Sequence, residues 1–377
     1  MFKTTIHLKQ HTPLIHSKSS VPENGLRASE IKPALDRWLL KTIKNIEEDW
    51  FIDKENNKAL NYKLRIKCEQ HEEFKISTQK KGNQTPKQIL GNYFGEGSGF
   101  IYKIIQLEII SYFSELIDAI KVYIPGFYMC NNFGNRKTKG FGSFTVSKID
   151  GVDVTFEESK FVEAIAYSNE YFLCWSAIAN LTPNNSFIPF FELTLSQYKA
   201  LKSEDLAKRE KSAIQKYFIS KRPPVYWEKD FIYLSFSKKN LLSLISKNHF
   251  RNTIEKDKLQ YAFVRILLGM PNQYEYRILK SRDKVQIGVR DANNKIERFP
   301  SPLTYKLINN NIYILVREIH KSIFANEFKF DVLSKSRYEF KTVKFDSIYA
   351  PGSGEFDLKE FLEMNLAKHY KLIYSRA

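Results

Sequence analysis

The chain has 377 residues, enough for two domain-sized cores, and its 43% hydrophobic and 14% aromatic content excludes wholesale disorder. Its 59 Lys and Arg against 42 Asp and Glu leave a net charge of +17, a field that favours polyanions, nucleic acid first and an anionic membrane surface second. Cys68, Cys130 and Cys174 are odd in number, far apart and outside CxxC spacing, which argues against a disulfide framework or a zinc site and for reduced thiols in a cytoplasm. The first residues, MFKTTIHLKQHTPLIH, alternate like a strand and lack the charged-then-apolar order of a signal peptide. No apolar run approaches the ~18 residues of a spanning helix. A soluble, cytoplasmic protein without membrane contact is expected.

In chain order, Thr4 to Lys9 reads as a strand with Ile6 and Leu8 on one face. A loop with breakers at Pro13, Pro22 and Asn24-Gly25 follows. In LRASEIKPALDRWLLKTI, Ile31, Leu35, Trp38 and Leu39 form one apolar stripe of a helix. Pro33 falls in its first turn and Ser29 is the expected cap, with Arg27, Lys32, Arg37 and Lys41 along the start and polar side. YKLRIKCEQ and EFKIST read as two strands, TQKKGNQTPKQ as a basic loop and GNYFGEGSGF as a glycine cluster. From Ile109 to Ile124 apolar residues recur at 109, 113, 116, 117 and 120, a second helix that Pro125-Gly126 should end. The order is close to βαββαβ, a ferredoxin-like or RRM-like unit closing near residue 150.

The second half, 151–377, offers similar materials without a sequence repeat. Strands are expected at YFLCWSAIAN, FIPFFELTL, FIYLSFS, KVQIGV and NIYILV. Helices are expected at EKDKLQYAFVRILLGMP, with Leu259, Phe263, Ile266 and Leu267 on one face, and at FDLKEFLEMNLAKHY. Residues 196–222 read as a charged, exposed helical insertion. The expected fold class is α+β: two ferredoxin-like domains with helical insertions.

The most telling stretch is NNFGNRKTKGFGSFTV, Asn131 to Val146. Glycines let backbone N–H groups approach a ligand and accept positive φ. Arg136, Lys137 and Lys139, set between Gly134, Gly140 and Gly142, supply bidentate and point-charge contacts to phosphates. Phe144 and Val146 then alternate as a strand. Phe141, on the other parity, could lie against a base. A plain hairpin turn with solvated charges is the alternative on spacing alone. The stretch is not a P-loop, having no GxxxxGK[ST].

This turn resembles the glycine-rich signature of the RAMP superfamily, the RRM-like RNA-binding proteins of CRISPR–Cas systems. HTPLIH resembles the first-strand TPL signature of one branch, and LRASEIKPALDRWLL resembles its first helix. ERFPSPLTYKL resembles its R-SPL-hK strand, and LLGMP has a counterpart there too. Together these islands, spread over about three hundred residues, resemble the first-named RAMP subunit of type III-B (Cmr) effector complexes, the one at the crRNA 3′ end. The chain departs from the branch at Ile15, His16 and Ser17, where glycines usually follow TPL, and at Pro33, Asp36 and Leu39.

The resemblance implies two RRM-like domains, binding of the 3′ portion of the crRNA, help in seating complementary target RNA, and other Cmr RAMP subunits as neighbours. It implies antiviral defence without catalysis, cofactor or metal. Carried over by residue, it implies Arg136, Lys137 and Lys139 at guide phosphates, with Gly134, Gly140 and Gly142 shaping the loop. Phe141 joins them, Arg27, Lys32 and Arg37 form a basic entry on the first helix, and Arg298 acts in the second domain. His7 and His11 lie four apart on a strand, ~13 Å from each other and too far for a shared metal. His16 keeps a second reading open, a metal-independent RAMP endoribonuclease with that imidazole as acid or base. A basic scaffold serving protein contacts only is the third.

Overall fold

The computed structural model describes residues 1–16, 25–53, 55, 59–77, 88–90, 97–181, 187–203, 210–245, 260–271, 273–279, 284–293, 299–333, 340 and 343–376. The chain opens with β1 (Phe2–Gln10), α1 (Ala28–Thr42), β2 (Tyr62–Ser77), β3 (Gln88–Leu90), β4 (Gly97–Ser111) and α2 (Ser114–Cys130). It continues through β5 (Phe144–Ile149), β6 (Val152–Asp153), α3 (Glu158–Ser168), β7 (Leu173–Ala177), α4 (Phe187–Lys202) and α5 (Ala213–Ile219). Then come β8 (Val225–Trp227), α6 (Glu228–Ser237), β9 (Gln260–Ala262), β10 (Gln273–Arg277), β11 (Lys284–Asp291), β12 (Leu303–Ile308) and β13 (Asn311–Val316). The last elements are β14 (Glu327–Val332), β15 (Ile348–Tyr349), α7 (Leu358–Leu366) and β16 (Tyr370–Ser375). This is a mixed α/β protein, and none of its helices among the described residues is long and apolar enough to cross a membrane.

Two compact units divide these elements. The first comprises Met1–Leu195, Leu303–Arg317 and His369–Ala377. Its larger sheet runs β3-β2-β4-β1-β5-β6, antiparallel except for the β2–β3 pair. Its second sheet, β12-β13-β7-β16, is antiparallel throughout. The helices bury one stripe each against the larger sheet: Ile31, Leu35, Trp38 and Leu39 from α1, and Leu116, Ile117, Ile120, Ile124 and Phe127 from α2. The second unit, Ser196–Pro302 with Glu318–Lys368, holds the antiparallel sheet β10-β11-β14-β15 and the parallel pair β8-β9. Phe236, Phe263, Phe328 and Phe361 sit in its interior.

Several elements differ from the sequence expectation. The two strands read at YKLRIKCEQ and EFKIST are one 16-residue strand, β2, which pairs along its length with the unexpected 15-residue β4. Ile109 therefore belongs to a strand, and α2 begins only at Ser114. Pro125-Gly126 does not end α2, because its apolar stripe continues through Phe127 and Tyr128 into the core. Arg27, not Ser29, occupies the cap position of α1.

FIPFFELTL lies in α4 and FIYLSFS in α6, both helical where strands were expected. Phe190, Thr194, Tyr198 and Leu201, buried at spacings of four, four and three, show the helical face that aromatic content had masked. In EKDKLQYAFVRILLGMP the described residues, 260–271, form β9 followed by a 3-10 turn at Val264–Leu268, with no α-helix among them. Its Leu259 lies outside the described residues. Within the expected exposed insertion, α5 buries Ile214, Gln215, Tyr217 and Phe218.

Candidate nucleic-acid interface

The cationic turn grows directly out of α2. Asn131 caps that helix, its N–H donating to Phe127 O at 3.1 Å. Phe133 N–H then donates to Gly142 O at 2.9 Å, and an Asn132–Ser143 bridge closes the base before β5 begins. Between these, the backbone reverses through positive φ at Gly134 (74°), Arg136 (57°), Gly140 (91°) and Gly142 (66°), with a 3-10 turn at Lys137–Lys139. A Cβ on Gly142 would stand 2.0 Å from Phe133 O, so only glycine lets the two strands of this base meet. Arg136 takes the left-handed conformation with a side chain, at a cost of about 1–2 kcal/mol.

Three other segments fix the turn from outside. The stretch after β1 receives Gly142 N–H at Pro13 O (2.9 Å) and Asn135 N–H at Ile15 O (2.8 Å). Thr12 Oγ1 donates to Gly140 O at 2.7 Å and accepts Ser143 N–H at 2.8 Å. From α1, Glu30 Oε1 accepts Gly134 N–H at 2.8 Å. From β12, Lys306 Nζ donates to Asn131 O (2.9 Å), Asn132 Oδ1 (3.1 Å) and Phe144 O (3.5 Å). Asn132 Nδ2 donates onward to Lys137 O and Tyr305 O, both at 2.8 Å, and Ser143 Oγ to Leu307 O at 2.7 Å. The islands HTPLIH, SEIK, NNFGNRKTKGFGSF and SPLTYK thus converge on one place.

The expected site residues divide unevenly. Lys137 is exposed, while Arg136 and Lys139 are half-buried, and burial draws the Arg136 guanidinium below its usual pKa. Arg27 and Arg37 are exposed at the start and along the polar side of α1. Lys32 is engaged within the fold: its Nζ lies 2.8 Å from Asp36 Oδ2, donates to Leu60 O at 2.9 Å and sits 4.2 Å from the Tyr62 ring centroid. Arg298 lies outside the described residues.

Phe141, expected to lie against a base, is instead packed inside. It is 1% exposed, and its ring stacks on Phe191 with centroids 4.1 Å apart. Two facing apolar rings here leave no open platform for a nucleotide. Phe141→Ala is expected to remove about 3–5 kcal/mol of stability, as truncation of a buried Phe does. Thermal unfolding checks this; an unchanged melting temperature would contradict the packing role.

The histidines are likewise held by the fold. His11 is 8% exposed, with Nε2 2.9 Å from Thr145 Oγ1, and burial with Lys306 and Lys9 nearby pushes its pKa down to about 3. His16 is half-buried with Nε2 3.1 Å from Gly25 O, and burial lowers its pKa as well. Sequence reasoning passed over Thr12, Glu30, Asn132 and Lys306, which shape the turn. The signal was present: all four lie inside the islands quoted above.

Fold and site together define a mixed α/β protein whose glycine-kinked cationic turn is anchored from three separate segments. The family follows from sequence models: the Cmr1 N-terminal domain matches residues 1–203 and the Cmr1 C-terminal domain residues 209–372. The chain belongs to the Cmr1 family of CRISPR-associated RAMP proteins. No curated protein matches it.

Among solved structures, the apo crystal structure of Cmr1 from Pyrococcus furiosus is similar over 100% of this chain and 99% of that one, at 9% identity and a TM-score of 0.42. A chain of the Type III-B Cmr-beta cryo-EM structure bound to cognate target RNA and AMPPnP, in the presence of ssDNA, is similar over 84% of this chain and 94% of that one. Its identity is 13% and its TM-score 0.38. A chain of the Cmr-beta structure bound to cognate target RNA aligns over 40% of this chain and 60% of its own length, at 14% identity and a TM-score of 0.30.

Proposed function

We propose that this protein is a non-catalytic RNA-binding subunit of a cytoplasmic type III-B (Cmr) effector complex. It binds the 3′ portion of the crRNA, helps seat complementary target RNA and contacts other Cmr RAMP subunits in antiviral defence. The observation that carries this reading is the convergence of four sequence islands on one turn that holds Arg136, Lys137 and Lys139 within four residues. Arginine forks and lysine ammonium groups at such a turn suit phosphate oxygens. With Phe141 buried, the turn would grip the ribose-phosphate chain and leave base identity to guide–target pairing.

The reading includes two ferredoxin-like, RRM-like domains divided near residue 150. What supports it is strand order. In β2-β4-β1-β5 and again in β12-β13-β7-β16, the sequence-ordered strands lie second, third, first, fourth across the sheet. Residues 187–302 and 318–368 would then be insertions in the second domain.

The competing endoribonuclease reading rests on His16. Incubating the purified protein with guide RNA, with and without EDTA, separates the two. Binding without cleavage is expected; cleavage that disappears in His16→Ala would overturn the non-catalytic assignment.

A further inference from the structure

Lys306 is a lysine with no exposed surface, on a strand whose six residues are all buried. A buried ammonium is costly unless its donors are met. Here three N–H groups face three acceptors, Asn131 O, Asn132 Oδ1 and Phe144 O, at 2.9, 3.1 and 3.5 Å. All three acceptors belong to the two ends of the cationic turn: Asn131 and Asn132 where it leaves α2, Phe144 where it enters β5. Asn132 extends the grip to the middle of the turn through its bond to Lys137 O. One cation therefore ties together entry, exit and centre of the loop that holds Arg136, Lys137 and Lys139.

We infer that Lys306 is the positioning residue of the RNA-binding turn, setting the loop conformation through its protonated ammonium without touching the RNA. The inference rests on the reading that the turn binds RNA. A neutral amine has two N–H groups for the three acceptors, so loss of the proton frees one end of the loop. Burial pushes the Lys306 pKa down from 10.5 to about 7, which places that loss near neutrality. The titratable groups whose charge reaches it are Cys130 at the end of α2 and His11 beyond β1. Burial drives the Cys130 thiol well up and His11 down to about 3, so neither changes charge between pH 6 and about 8.5.

The two consequences of this titration have opposite signs. Between about 7 and 10.5 the unfolded chain carries one more proton at this lysine than the folded chain, so its contribution makes stability rise with pH. RNA affinity should fall over the start of the same window, because the ordered loop needs the ammonium. A residue that served only the core would move stability and leave the pH profile of RNA binding flat.

The test measures affinity for guide RNA from pH 6 to about 8.5 at fixed salt, on wild type, Lys306→Met and Arg136→Glu/Lys139→Glu. Wild-type affinity is expected to fall about fivefold across the window, the worth of one hydrogen bond. Lys306→Met should start weaker and show no pH step. Amide exchange of residues 134–141 in free Lys306→Met should be faster than in wild type. A flat wild-type profile, which needs no variant, would overturn the inference, as would unchanged exchange in Lys306→Met. Unaltered binding by the double charge reversal would instead sink the RNA-site reading, while the exchange measurement would still decide whether Lys306 orders the loop.

Discussion

Replacing Arg136 and Lys139 together by glutamate is expected to lower affinity for single-stranded guide RNA about tenfold or more. Each reversal removes a cation that suits a phosphate oxygen and puts a carboxylate within a Debye length, ~8 Å at physiological salt, of the phosphate chain. The salt dependence is the sharper readout. Each phosphate contact on a single strand contributes roughly 0.7 to the log–log slope, so the double variant should be flatter by about 1.4. Reversing Lys238 and Lys239, two exposed lysines of the second unit, changes net charge equally and should leave the slope as it is. An unchanged slope in the turn variant would refute the phosphate contacts. A comparable drop in the control would reduce the effect to the general field of a +17 chain.

A large stability effect is also expected from Gly142→Ala. Gly142 has φ of 66°, and its new Cβ would meet backbone on both atoms of a carbonyl, Phe133 O at 2.0 Å and Phe133 C at 2.9 Å. Backbone cannot swing away as a side-chain tip can. That carbonyl also lies at the closed base of the turn, where Phe133 N–H is bound to Gly142 O. A loss of about 3 kcal/mol or more is expected, roughly a 6–12 °C fall in the melting transition of the first unit. Gly151→Ala is the matched comparison: its φ is 83°, but nothing lies within 4 Å of the added Cβ. It should lose only about 1–2 kcal/mol, the left-handed penalty alone. Equal losses in the two variants would show that the turn base can open.

Much of the site was legible in the sequence because the turn declares itself twice, by glycines at fixed offsets and by cations between them. Its surroundings were legible only as islands. Nothing in HTPLIH or SPLTYKL by itself says that Thr12 and Lys306 reach the turn, since those contacts span 128 and 175 residues in sequence. Phe141 misled for a related reason: parity placed it off the core face of β5, but a separate helix, α4, brings Phe191 to cover it.

The fold failed to read where composition and period disagreed. FIPFFELTL is rich in strand formers, yet its buried positions follow a helical period. In β4 the apolar residues Ile109 and Ile110 abut a helix and supply a false first turn. β2 reads as two strands because the polar, exposed run Gln70–Glu73, with Gln70 at φ 52°, hides the alternation midway, although pairing with β4 keeps one register on both sides of it. α1, whose apolar stripe is clear, reads to within a residue or two in extent, but its cap is Arg27, and Pro33 is its sixth residue, inside the helix and not in the first turn.

The central claim is that the turn between α2 and β5 grips a ribose-phosphate chain without cutting it. A structure of the protein bound to guide RNA within its effector assembly tests this most directly. The account predicts intact RNA with phosphate oxygens in hydrogen-bond reach of Arg136, Lys137 and Lys139. RNA seated elsewhere, with those three side chains directed into solvent, would contradict it.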